Sequence, residues 1–230
     1  ANRRSVASYL TLDGAVSEYG WGAGYIRDSD ADLTAYNSGA AIIDATANQV
    51  LRVELDRDDG NPSAGTEIRG GTNGISVLKL DDGLDYLRIH KSARSFDISG
   101  NTAFTGVTWD TSDEVDTGSF DFTPTSADVT VKGDENQLFL VTANVKLNND
   151  DTAAQRQNYE MRLTLDGAEI PGTRSTSYLR AANDTDNGTL QYVGVIKKTV
   201  PGNQTFNVEV RREGEAADST DIVADQTALS

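Results

Sequence analysis

Apolar and polar residues alternate along most of this chain with a period of two, the repeat of strands with one wet face. Tyr159, Met161, Leu163 and Leu165 fall on one face, and Glu160, Arg162, Thr164 and Asp166 on the other. Val6, Ser8, Leu10 and Leu12 stand in the same relation to Ala7, Tyr9, Thr11 and Asp13. Leu51, Val53 and Leu55 repeat the pattern, as do Phe206, Val208 and Val210. The longest predicted strand runs from Gln137 to Leu147, with Phe139, Val141, Ala143, Val145 and Leu147 directed inward. Between these stretches stand Asp13-Gly14, Asp59-Gly60, Gly70-Gly71, Asp82-Gly83, Asp166-Gly167 and Pro201-Gly202, pairs suited to tight reversals. So many short strands and turns predict an all-β antiparallel sandwich, with no helix longer than a turn or two.

The alternation is itself repeated. Ala1 to Gly14 aligns with Ala154 to Gly167 at a spacing of 153, sharing Thr-Leu-Asp-Gly at the end. Tyr25-Ile26-Arg27 lies on Tyr178-Leu179-Arg180, Gln49 to Leu55 on Gln204 to Val210 after a two-residue shift, and Thr66 to Ser76 on Thr220 to Ser230. A long fixed period with matching turns predicts two tandem jelly-roll-like units, the first N-terminally incomplete and the second lacking its last strand. The expected limits are 1–90 for the partial unit, 91–103 for a linker and 104–230 for the second, where Val107-Thr108-Trp109-Asp110 opens a strand. Leu84 to His90 alternates well enough to be a further strand. A sandwich short of strands exposes core and unpaired edges. The expectation is therefore a segment of a longer array, or a subunit whose neighbours add the missing strands.

Charge narrows the partners. With 36 acidic and 20 basic residues the formal net charge is −16, which argues against nucleic acid or an anionic membrane surface. No apolar run reaches the roughly 18 residues of a membrane span. The chain has no cysteine, which removes thiol nucleophiles, thiolate metal sites and disulfides.

Candidate chemistry is sparse. Asp28, Asp30 and Asp32 have the spacing that opens a calcium loop, but Leu33 and Gly39 stand where such a loop needs Gly and Glu. The matching loop, Asn183 to Asn187, holds Asp184 and Asp186, so these five aspartates are the candidate metal ligands and calcium the candidate ion, with no cofactor required. Trp21, between Gly20 and Gly22, is the candidate sugar-stacking residue; Trp109, in an apolar stretch, reads as core. His90 is the single histidine and excludes a His-based zinc site or triad within one chain, which leaves it a surface or interface residue. Glu54 with Arg52, and Glu209 with Arg211, read as cross-strand ionic ladders and not as catalytic pairs. Arg27 and Arg180 are expected to meet a carboxylate or a carbonyl. Asn183, Asn187 and Asn203 each begin an N-x-Ser/Thr pattern.

Val107 to Thr111, Phe139 to Thr142, Leu165 to Gly167, Tyr178 to Arg180 and Val208 to Arg212 together make the chain similar to tandem jelly-roll repeats of large bacterial surface or secreted proteins and of virion fibres, which look like tumour-necrosis-factor-type sandwiches. The resemblance implies a non-enzymatic structural role in an extracellular, cell-surface or virion-surface assembly, with further copies of itself as partner. An adhesin or carbohydrate-binding module with a glycan or host-surface receptor is the alternative.

Overall fold

Strands form where the alternation runs, and Asp-Gly pairs reverse the chain between them. The computed structural model describes residues 3–16, 22–27, 43, 45–46, 48–57, 84–92, 96–97, 102–149, 156–180, 186–213, 220–222 and 227–229. In chain order the strands are β1 (Arg3–Leu12), β2 (Ala15–Val16), β3 (Gly22–Arg27), β4 (Leu51–Arg57), β5 (Leu87–His90), β6 (Phe96–Asp97), β7 (Thr105–Gly106), β8 (Thr111–Val115) and β9 (Phe120–Phe122). There follow β10 (Val129–Val131), β11 (Leu138–Asn149), β12 (Arg156–Leu165), β13 (Ala168–Glu169), β14 (Ser175–Arg180), β15 (Asp186–Lys197), β16 (Gln204–Glu213), β17 (Thr220–Ile222) and β18 (Ala228–Leu229). All pairings are antiparallel, and the described residues contain no helix.

Among the described residues three sheets result. β1 to β4 form an N-terminal sheet with β1 central. A second sheet carries β12 between β13/β14 and β16, and continues from β16 through β10 to β9, with β7 also on β16. The third runs from its edge strand β15 through β11 to β17 and β18, then to β6, β5 and β8. The second and third sheets enclose a single core. Val141, Ala143, Val145 and Leu147 of β11 meet Tyr159, Met161, Leu163 and Leu165 of β12 and Phe206, Val208 and Val210 of β16 in one buried cluster. The inward set expected of β11 is therefore buried, with Phe139 partly so.

The stretch from Val107 to Asp110 is not a strand but an extended bridge between the sheets. Its start follows β7, on β16, and its end enters β8, on β5. The Val107 N–H donates to the Val208 carbonyl at 2.8 Å, and the Trp109 N–H to the Ser126 carbonyl at 3.0 Å. A chain that changes sheets cannot pair along its whole length, so the alternation of Val107 and Trp109 marks burial and not a ladder. Both side chains are fully buried.

The sandwich also reaches into the stretch expected to link two units. β5 pairs with β8 and β18, and Phe96–Asp97 pairs with β17. Lys91 is 2% exposed, with its N–H on the Thr227 carbonyl at 3.0 Å. Residues 87–90 thus belong to the later sandwich by pairing, although sequence order attaches them to the earlier copy. Non-local partners near the C-terminus, invisible to a local pattern, decide this.

The internal repeat is a repeat of register. Arg3 stands opposite Arg27 as Arg156 stands opposite Arg180, and Leu10 opposite Val53 as Leu163 opposite Val208. Asp13-Gly14 and Asp166-Gly167 both take two successive positive φ angles, 52° and 83° against 51° and 76°, the turn that matches strand twist. Asp13 Oδ1 accepts the Val50 N–H at 2.8 Å, and Asp166 Oδ1 accepts the Thr205 N–H at 2.8 Å. Gln49 Oε1 accepts the Thr46 N–H at 2.7 Å, as Gln204 Oε1 accepts the Thr199 N–H at 2.9 Å. One local device therefore sets the same three-strand geometry twice.

The sandwich depends on its largest core residue at the bridge. Trp109→Ala is expected to lower stability by roughly 3–5 kcal/mol, read from chemical denaturation of the full chain.

Candidate functional site

Equal register with unequal cover singles out the N-terminal sheet. In the sandwich, Val208 and Val210 are 0% exposed. Their repeat counterparts Val53 and Leu55 are 50% and 44% exposed. Val16 on β2, across β1 from β4, and Val50, just before β4, are exposed as well. β16 is paired on both sides, by β12 and by β10 with β7, whereas among the described residues β4 pairs with β1 alone. The sheet approaches the sandwich through β3, which lies beside β15, and β4 is its opposite edge. Open apolar side chains along an unpaired edge can accept a further strand.

A second feature lies on the outer face of the β12–β16 sheet, where charge replaces water. Arg174 binds Glu169 through two N–H···O contacts of 2.7 Å and reaches Glu160 Oε1 at 2.7 Å. Arg211 Nε donates to the other Glu160 oxygen at 2.8 Å, and Arg162 Nε donates to Glu209 at 2.7 Å. Phe104 lies across the cluster, with the guanidinium carbons of Arg162 and Arg211 at 4.0 and 4.5 Å from its ring centroid. Cations over a ring face are attracted to its quadrupole, so Phe104 straps the segment leading into β7 onto the sheet. Hydrogen bonds from Arg174 hold Glu169 far below the usual carboxylate range, at about 2, with Arg162 adding to the effect. Asp166 is also held below its ordinary value, first by the hydrogen bond from Gln204 and next by the Thr205 N–H.

The ladder expected at Glu209 is present with different partners. Glu209 bonds Arg162 on the neighbouring strand, while Arg211 bonds Glu160 and Glu213. In the N-terminal sheet Tyr9 stands where Arg162 does, and Glu54 accepts instead from Thr11 Oγ1 at 3.2 Å. Phe104 went unnoticed in the sequence because an aromatic residue at the start of a strand reads as core. Its signal was the same-face set of Glu160, Arg162, Glu209 and Arg211, which leaves a lone ring on that face in cationic company.

Other expected sites fare differently. Asp28, Asp30, Asp32, Asp184 and Trp21 lie outside the described residues, as does Asn183. Of Asp186 the backbone is described, opposite Asn149 at the start of β15. No group of acidic or histidine side chains suited to a metal occurs among the described residues. Trp109 is core, as read. His90, expected at a surface or interface, is 7% exposed, with Nδ1 2.9 Å from Asp113 Oδ2, on a strand paired on both sides by β8 and β18. Arg27 and Arg180 stand opposite Arg3 and Arg156 in backbone register.

No family model matches the chain, and no curated protein matches it. Among solved structures the chain is similar to a family 35 carbohydrate binding module from an environmental isolate, at 14% identity, over 60% of this chain and 97% of that one. The TM-score is 0.13, a likeness that carries no argument about this chain. No helix among the described residues is long and apolar enough to cross a membrane.

The matched valines give an internal control. Val208→Ala is expected to cost roughly 2–3 kcal/mol and Val53→Ala less than about 0.5 kcal/mol, by denaturant titration of the intact chain. Glu169 supplies a pH test. Its folded-state value lies below the unfolded one, so its contribution is complete above pH 4.5 and is lost as pH falls toward about 2. Glu169→Gln should flatten the acid limb of the stability profile in that window, and near neutrality it should lower stability while leaving the pH slope unchanged.

Proposed function

We propose that the chain is a non-enzymatic structural repeat protein whose β-sandwich units build an extracellular filament, fibre or surface assembly through strand sharing or end-to-end packing. The observation that carries the reading is the N-terminal sheet, which repeats the register of β12–β16 while leaving Val53 and Leu55 open. Burying one such side chain is worth about 1.5–3 kcal/mol, so a covered sheet is strongly favoured over an open one. Support for a role without catalysis comes from the carboxylates of the sandwich: Glu160, Glu169 and Glu209 are engaged by arginine. The extracellular setting follows from the resemblance to surface and fibre repeats. A net charge of −16 keeps free subunits apart and makes their association salt-dependent.

Sedimentation velocity on the intact chain tests this reading. Larger species should grow with protein concentration and with added salt, and Val53→Asp with Leu55→Asp should raise the concentration needed by about tenfold or more. A single monomeric species at every concentration and salt would overturn it. Binding on a glycan array that depends on Trp21, without self-association, would favour the carbohydrate-binding alternative.

A further inference from the structure

β16 shows what a complete strand of this kind looks like, and β4 is its counterpart with one side vacant among the described residues. On that side of β16, Val129, Thr130 and Val131 of β10 face Phe206, Thr205 and Gln204. Further along, Thr105 and Gly106 of β7 face Val210 and Glu209, and the Val107 N–H caps the Val208 carbonyl. The segment that supplies these strands continues into β11, whose Val141, Ala143 and Val145 seal Val208 and Val210 from the facing sheet. Pairing on that side of β16, and part of its cover, therefore come from one stretch, residues 102–149.

From this we infer that β4 is the acceptor edge for strand addition, and that its occupant is a second copy of segment 102–149 from a neighbouring repeat unit. The inference rests on the assembly reading and specifies the joint. The shift of 155 between β4 and β16 fixes the register. Incoming Val129, Thr130 and Val131 face Leu51, Val50 and Gln49, and incoming Thr105 and Gly106 face Leu55 and Glu54. Register matters because a slip of one residue turns every side chain to the wrong face. In register, Val53 and Leu55 receive the cover that Val208 and Val210 have, and incoming Phe104 falls over Tyr9, which occupies the place of Arg162. Nothing in Leu51–Leu55 opposes the addition: the stretch holds no proline, and its charges, Arg52 and Glu54, point away from the apolar face.

The test is the chain extended by a second copy of residues 102–153 placed directly before Ala1, the spacing at which that stretch precedes Ala154. Hydrogen exchange at residues 51–55 should slow by at least roughly tenfold relative to the unextended chain, approaching that of β16. With Leu55→Cys and Thr105→Cys in the added copy, a single disulfide should form in this otherwise cysteine-free chain. Val131→Pro in the added copy should restore fast exchange at 51–55 while β16 stays protected. Unchanged exchange at 51–55 with β16 protected overturns the inference, as does protection already complete in the unextended chain. Should the extended chain fail to fold, a peptide of residues 102–133 carrying Thr105→Cys is offered to the intact chain carrying Leu55→Cys, and absence of the crosslink overturns it. Association of the intact chain is scored separately. Monomer at all concentrations with protection in the extended chain removes the assembly reading and keeps the joint, and association without protection does the reverse.

Discussion

A β-sheet with one apolar face needs a cover, and that requirement organises this molecule. β12 and β16 satisfy it through β11 and the bridge at Trp109, which carries the chain from one sheet to the other across the end of the core. The other pairings of these two sheets support the same closure. β5 and β18, distant in sequence, come together to widen the covering sheet, and β7 and β10 fill the flank of β16. Remove the cover and the same strands, in the same register, become the N-terminal sheet.

The contrast separates two contributions that usually act together. Local turn chemistry is identical in both copies: an Asp-Gly reversal, an aspartate oxygen on the next strand's N–H, and a glutamine closing the approach to that strand. Tertiary burial is not identical, since Val53 is half open and Val208 sealed. Strand identity and register are therefore local properties here, and burial is a property of the partner.

That division explains what could be read in advance. The β class, the inward set of β11, the core place of Trp109 and the alignment of Leu51–Leu55 with Phe206–Val210 were legible because period, turn and repeat are local signals. The membership of Leu87–His90 in the later sandwich was not, because β8 and β18 decide it from 20 and more residues away. Val107–Asp110 has the alternation of a strand but changes sheets. His90, read as a surface or interface residue, is buried on a strand whose pairing partners β8 and β18 lie far away in sequence. Phe104 was missed because its partners are cations on an outer face, where hydrophobicity alone places no ring.

The repeated aspartate turn has a consequence for the kinetics of the proposed strand addition. Asp13 and Gln49 tie the reversal and the entry to β4, so in the proposed joint the receiving strand is ordered before a partner arrives. An incoming segment then loses its own freedom on docking, but the receiving sheet has little left to lose, which lowers the entropic barrier on one side of the encounter. Disrupting this small polar latch would slow the proposed coupling between units without removing the apolar side chains of Val53 and Leu55 from the joint.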